Sequence, residues 1–255
     1  MRCWVLAEDE RLFLPLLLQP MAESGCIAGI IQIHFKESLR GSAKKFWRNL
    51  LALGILSAGE AAIASMFLGR SLKQLARQYN LPLAHVAGFD DPRLDLMLAN
   101  ARMPVLTQVS RRVPATLVEN YDLINKHCAL LPAYRGVYPV LWAMIEGAPE
   151  QGVTIHRMGP AFDTGPILAQ DRVPNEGAFF SIYRTLYDLA AELLIHLPDG
   201  IKPIDPVGTP SYCSFPSAAD RARMKGSMGS VLRALKARPK HLADFLASGS
   251  ARRIT

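Results

Sequence analysis

Cys3-Trp4-Val5-Leu6-Ala7 and the longer apolar run Cys26-Ile27-Ala28-Gly29-Ile30-Ile31-Gln32-Ile33 flank a segment that carries Leu12, Leu16 and Met21 at near-helical spacing. The pattern reads strand, helix, strand. Strands that are apolar throughout must be covered on both faces, and two of them joined through a helix run parallel by a right-handed crossover. The opening therefore predicts a Rossmann-like, doubly wound, mostly parallel α/β sheet. Downstream the alternation continues. Ser71 caps a short helix carrying Leu72, Leu75, Ala76 and Tyr79, and residues 81–87 form a third strand. Asp91-Pro92 starts a helix reaching Arg102, residues 105–109 form the next strand, and Pro114 opens another short helix. In sheets of this kind ligands sit beyond the carboxyl ends of the strands.

The chain has 255 residues, half of them hydrophobic and a fifth charged. That suffices for one principal core and excludes a largely disordered protein. We read residues 1–205 as the main domain and 206–255 as a short basic extension, a solvated and partly frayed end in which Arg221, Arg223, Lys225, Arg233, Lys236, Arg238, Lys240, Arg252 and Arg253 outnumber Asp220 and Asp244. The opening reaches Glu8, Asp9 and Glu10 before a signal-peptide apolar region forms, and Cys3, Cys26, Cys128 and Cys213 are widely spaced; both point to a cytoplasmic protein. The net charge of +7 favours anionic partners without choosing among them. His34, His85, His156, His196 and Asp95 lack short metal-ligand spacing, so no metal is expected.

Residues 36–69 form an insertion, basic through Lys36, Arg40, Lys44, Lys45 and Arg48 and then apolar from Leu50 to Gly69 apart from Glu60. Glu60 at mid-span, with Gly54, Ser57, Gly59 and Ser65, argues against a bilayer-spanning helix. The leading expectation is a helix buried against protein, including a homodimer partner, and the second is an interfacial helix at an anionic inner-membrane surface.

The chemistry lies further on. Leu123 to Gly136 reads as a strand emptying into a Pro/Gly loop, and residues two apart on a strand face the same way, so Asn125 and His127 project together. Pro139 opens a helix that ends at Gly147 near the same rim. The strand Val153 to Met158 leads into Gly159-Pro160-Ala161-Phe162-Asp163-Thr164-Gly165-Pro166, where glycine and proline fix the path of a lone carboxylate, Asp163. Cys128 faces the other side of its strand from His127 and belongs to the core. Arg135 either grips an acidic ligand group or braces its own loop. The helix Ala178 to His196 buries a stripe through Tyr183, Leu186, Leu189, Ala190 and Leu193.

Asn125-x-His127, Leu130-Leu131-Pro132-x-Tyr134-Arg135-Gly136 and Asp163-Thr164-Gly165, in this order and separation, resemble the folate-dependent formyltransferase family, strongly over 124–168 and in outline before that. The resemblance implies the formyltransferase fold, 10-formyltetrahydrofolate as formyl donor, a small-molecule amine as acceptor, and Asn125, His127 and Asp163 as the catalytic trio. It places Ser110, Arg111, Arg112 and Val113 in the loop that wraps the pterin, adds Leu130, Gly136 and Phe162 to the cofactor contacts, and leaves Tyr134 and Arg135 to the acceptor. Ser211 to Pro216 looks like a segment that follows the catalytic domain in amino-sugar members, so an amino sugar, nucleotide-linked or free, is the expected acceptor and nucleic acid is not favoured. Cys128 and Ala129 depart from the family's usual Pro or Gly and Ser without touching the trio. Glu8-Asp9-Glu10 replaces the glycine-rich turn expected of glycinamide ribonucleotide enzymes and repels a phosphate there. Formyl-folate hydrolysis, a methionyl-tRNA formyltransferase-like activity, and a non-catalytic folate-binding or membrane-associated module remain the alternatives.

Overall fold

The computed structural model describes residues 1–36 and 38–238. Lys240, Asp244, Arg252 and Arg253 of the basic tail lie outside the described residues. In chain order the elements are β1 (Cys3–Ala7), α1 (Leu14–Glu23), β2 (Ile27–Ile33), α2 (Leu39–Leu53), α3 (Ile55–Phe67), α4 (Leu72–Gln78), β3 (Leu83–Val86), α5 (Pro92–Ala101), β4 (Val105–Gln108), α6 (Ala115–Asn120) and β5 (Leu123–His127). They continue with β6 (Arg135–Gly136), α7 (Pro139–Glu146), β7 (Glu150–Arg157), β8 (Ile167–Pro174), α8 (Phe179–Ile195), β9 (Tyr212–Cys213), α9 (Ala218–Ala222) and α10 (Val231–Lys236).

Seven strands form one sheet in the order β3-β2-β1-β4-β5-β7-β8. The first five are parallel, and β7 and β8 are added antiparallel at one edge. The strand order reverses between β1 and β4, which is where such a sheet opens a crevice. Two cores result: α1, α7 and α8 cover one face through Leu17, Leu18, Met21, Leu141, Leu186 and Leu189, while α5 and α6 cover the other through Leu94, Leu98 and Leu117. The fully buried leucines and methionine of α1 are Leu14, Leu17, Leu18 and Met21, with Leu12, just before the helix, and Leu16 packed partly buried against the same core. Local signals set most helix starts: Ser71 and Gln74 form a reciprocal capping box on α4, and Asp91 accepts from Arg93 N before Pro92.

The insertion is two helices rather than the single helix expected. Gly54, at φ +83°, breaks it into two helices, and only Ala52, Ser57 and Ala64 are buried within residues 40–68. A left-handed glycine ends α2 cleanly, so one continuous buried helix cannot form. The extension is not a frayed end over its described part. β9 pairs in parallel with β6, and α10 buries Val231 and Ala234 beside α3 and α8. The Glu60 carboxylate holds that helix by accepting from Ser230 Oγ and from the backbone of Val231 (3.0 Å) and Leu232 (3.1 Å).

Candidate active site

Beyond the carboxyl ends of β1, β4 and β5 lies a cavity of about 730 Å³, within the range of small-molecule sites. Asn125 and His127 reach it from the end of β5, as the period of a strand requires. Asp163 enters from the loop after β7 with φ +49°, a left-handed conformation that aspartate tolerates better than most residues. Gly165 keeps that loop tight: a Cβ there would sit 2.3 Å from the Arg157 carbonyl oxygen.

The three side chains meet. Asp163 Oδ1 lies 3.2 Å from Asn125 Nδ2 and 3.4 Å from His127 Nδ1, and its Oδ2 accepts from the backbone N–H of Gly136 at 2.8 Å. His127 Nε2 donates to the Tyr134 carbonyl at 2.8 Å, which leaves Nδ1 as the nitrogen facing the carboxylate. Burial pushes the imidazole below its ordinary pKa, against the opposing pull of Asp163 and of the Tyr134 carbonyl.

Two residues that sequence reasoning did not assign complete the arrangement. Gln108, the last residue of β4, donates from Nε2 to Asn125 Oδ1 at 2.8 Å. His156 on β7 stands opposite Asn125 in the antiparallel ladder, with Nε2 3.4 Å from Asn125 Nδ2, while its Nδ1 donates to the Arg157 carbonyl at 2.9 Å. The Asn125 amide is thus clamped at both ends, oxygen toward Gln108 and nitrogen toward His156 and Asp163. Burial lowers the His156 pKa to about 4, so its ring is neutral at ordinary pH and Nε2 is an acceptor.

Of the expected donor contacts, Ser110, Arg111, Arg112, Val113, Gly136 and Phe162 line the cavity. The loop is braced: Ser110 N donates to the Glu8 carboxylate, Arg111 stacks 4.4 Å over Phe35, and Arg112 reaches the Pro160 carbonyl. Leu130 is not on the cavity wall; it packs against Gly152 on β7. Tyr134 and Arg135 do not reach the wall either. The Tyr134 hydroxyl is spent on Glu146 at 2.7 Å, and Arg135 braces its own loop through Ser211. Tyr212, Ser214 and Phe215 of the extension do line the cavity.

The three opening acids have structural duties. Glu10 accepts the N–H groups of Leu12, Phe13 and Leu14 at 2.8, 2.9 and 2.6 Å, and Asp9 accepts Leu72 N at the start of α4 at 2.7 Å. The carboxylate of Glu10 therefore occupies the anion-binding end of α1. On the far side of β5, Lys126 is buried with Nζ 3.5 Å over the Tyr187 ring and 3.5 Å from Cys128 Sγ, and burial pushes the Cys128 thiol up. Cys128 packs in the core as expected.

The doubly wound α/β sheet thus gathers an amide, an imidazole and a carboxylate at the carboxyl ends of its strands, where such sheets place their ligand sites. Residues 91–179 match the family model described as formyl transferase. A methionyl-tRNA formyltransferase of Lachnospira eligens is 34% identical over 112 residues, 42% of this chain and 36% of that protein. Among solved structures, an N-formyltransferase of Helicobacter canadensis, in complex with folinic acid and dTDP-3-aminofucose, is 16% identical and aligns with a TM-score of 0.55 over 84% of this chain and 71% of its own. A glycinamide ribonucleotide transformylase of Symbiobacterium toebii is 15% identical with a TM-score of 0.54 over 80% and 95%. These structural likenesses show the shared fold. Over residues 91–179 the chain is similar to formyl transferases. It spans 36% to 49% of the length of the methionyl-tRNA formyltransferases it matches.

Proposed function

We propose that this chain transfers the formyl group of 10-formyltetrahydrofolate to a primary amine, and that the amine belongs to an amino sugar. The observation that carries the reaction is the convergence of Asn125, His127 and Asp163 on one cavity, within 3.4 Å of a shared carboxylate oxygen. The Ser110 to Val113 loop and Phe162 supply a wall of backbone, apolar and cationic groups that suits a flat ring with an acidic tail. The folate, when bound, supplies an activated formyl carbon.

The chain's own groups do the rest. Asn125, held in one orientation by Gln108 and His156, turns the N–H it directs at Asp163 onto the formyl oxygen as negative charge develops there. His127, kept unprotonated by burial and with Nε2–H tied to Tyr134, takes up the proton the attacking amine loses, at Nδ1, directly or through water. Asp163 sustains the resulting imidazolium from 3.4 Å. Gly136 N–H on the other carboxylate oxygen keeps Asp163 aimed at the imidazole.

Three features support an amino sugar. Solved neighbours named as sugar N-formyltransferases align over 84% of this chain. Tyr212, Ser214 and Phe215, past the main domain, contribute to the cavity wall. The N-terminal amides of α1 are occupied by Glu10, so an acceptor phosphate finds no free donors there.

The test is a screen of amines with 10-formyltetrahydrofolate: amino sugars free and nucleotide-linked, glycinamide ribonucleotide, methionyl-tRNA, and no amine. Tetrahydrofolate release and product mass are read. Release that requires an amino sugar is expected. Release without any amine means a hydrolase, release with methionyl-tRNA alone reassigns the acceptor, and no release under any condition removes the reading.

A further inference from the structure

We propose that α2 and α3 form a docking arm that lies on an anionic bilayer and holds the mouth of the cavity beside it. On α3 the exposed residues Ile55, Leu56, Ile63, Met66 and Phe67, interrupted by Gly59 and Ala62, recur on one helical face, and none bears a polar group. Ile55 is 77% exposed, Leu56 89%, Met66 78% and Phe67 76%. Single exposed apolar residues are ordinary, but a row of this length marks an interaction surface.

The charges select the partner. On the helical period of α2, Arg40, Lys44, Lys45 and Arg48 fall on one side and Ala43, Phe46, Trp47 and Leu50 on the other. This is the pattern of an interfacial helix, with cations at headgroup level and aromatic rings at the acyl boundary. From Ser38 to Arg70 the sequence holds five cations and one carboxylate, Glu60, which is turned inward onto α10. An anionic lipid surface complements such a face. A second copy would instead bring the same excess to the contact, five cations against one carboxylate from each chain. Among the described residues no single helix is long and apolar enough to cross a membrane, and the two helical segments around Gly54, which reach that length and composition only together, are bent by 119°.

The arm is joined to the site. Gly41, Lys44, Lys45 and Arg48 line the cavity together with the trio. Docking through α3 therefore sets the cavity mouth at headgroup depth, where an amine carried on a lipid is within reach.

The experiment is co-sedimentation of the full chain with vesicles of phosphatidylcholine, with and without phosphatidylglycerol, at low and high salt. Wild type is expected to sediment with phosphatidylglycerol vesicles at low salt and to be released by salt. The double variant Leu56→Glu/Met66→Glu, at two exposed positions away from the cavity, is expected to bind at least about tenfold more weakly. Its circular dichroism and unfolding midpoint should match wild type. Wild type remaining in the supernatant, or the variant binding as well as wild type, overturns the proposal. So does a wild-type dimer that the same variant converts to monomer, since that makes the face a subunit interface.

Discussion

Acidification should destabilise this protein through His156. Its ring is buried, with Nδ1 donating to the Arg157 carbonyl and Nε2 facing the Asn125 amide, and burial lowers its pKa from 6.5 to about 4. A histidine depressed in the folded state binds its proton more readily when unfolded. The unfolded chain therefore takes up a proton as pH falls below 6.5, and the folded chain does so only near 4. Stability is complete above the higher value, declines through the window, and levels off below the lower one. The fall from 6.5 to about 4 corresponds to about 3 kcal/mol, a large share of a typical domain's stability. His127 is shifted in the same direction and adds to the loss. The assay is urea unfolding from neutral pH to pH 4 of wild type and His156→Gln, whose side chain fills much of the site but does not titrate. Wild type should lose about 3 kcal/mol more than the variant across that range. Equal losses in the two proteins would refute the assignment.

Other consequences follow from single contacts. Gln108→Leu removes the donor that fixes the Asn125 oxygen at 2.8 Å, so kcat should fall by roughly tenfold to a hundredfold with KM for the folate nearly unchanged. Glu10→Ala strips three N–H bonds from the start of α1, and urea unfolding should show a loss of about 1–2 kcal/mol. Glu60→Ala should loosen α10, seen as faster amide exchange across residues 231–236 with the exchange of β1 and β4 unaltered.

The alternation of elements was legible because apolar period and capping residues are local signals. Ser71, Asp91, Pro139 and Gly147 each mark a boundary the structure keeps. The trio was legible because Asn125 and His127 share one strand and Asp163 sits in a loop defined by glycine and proline. Gln108 and His156 were not, because their partner is set by cross-strand register: Asn125 opposes His156 only through the antiparallel pairing of β5 with β7. No local pattern announces that reversal in a sheet otherwise read as parallel. Glu10 was read as a charge that repels phosphate, whereas its carboxylate folds back onto amides two to four residues on. The docking of the extension on α3 depends on the long-range meeting of Glu60 with residues 230–232, which composition does not reveal.

The most direct test of the site is the turnover of Asn125→Ala, His127→Ala and Asp163→Ala with 10-formyltetrahydrofolate and the amine that wild type formylates, each variant checked for folding by circular dichroism. If the three groups act on one carbon, each loss lowers kcat by roughly a hundredfold or more, and the double variants fall far less than the product of the singles. Near-wild-type turnover in any folded variant would contradict it.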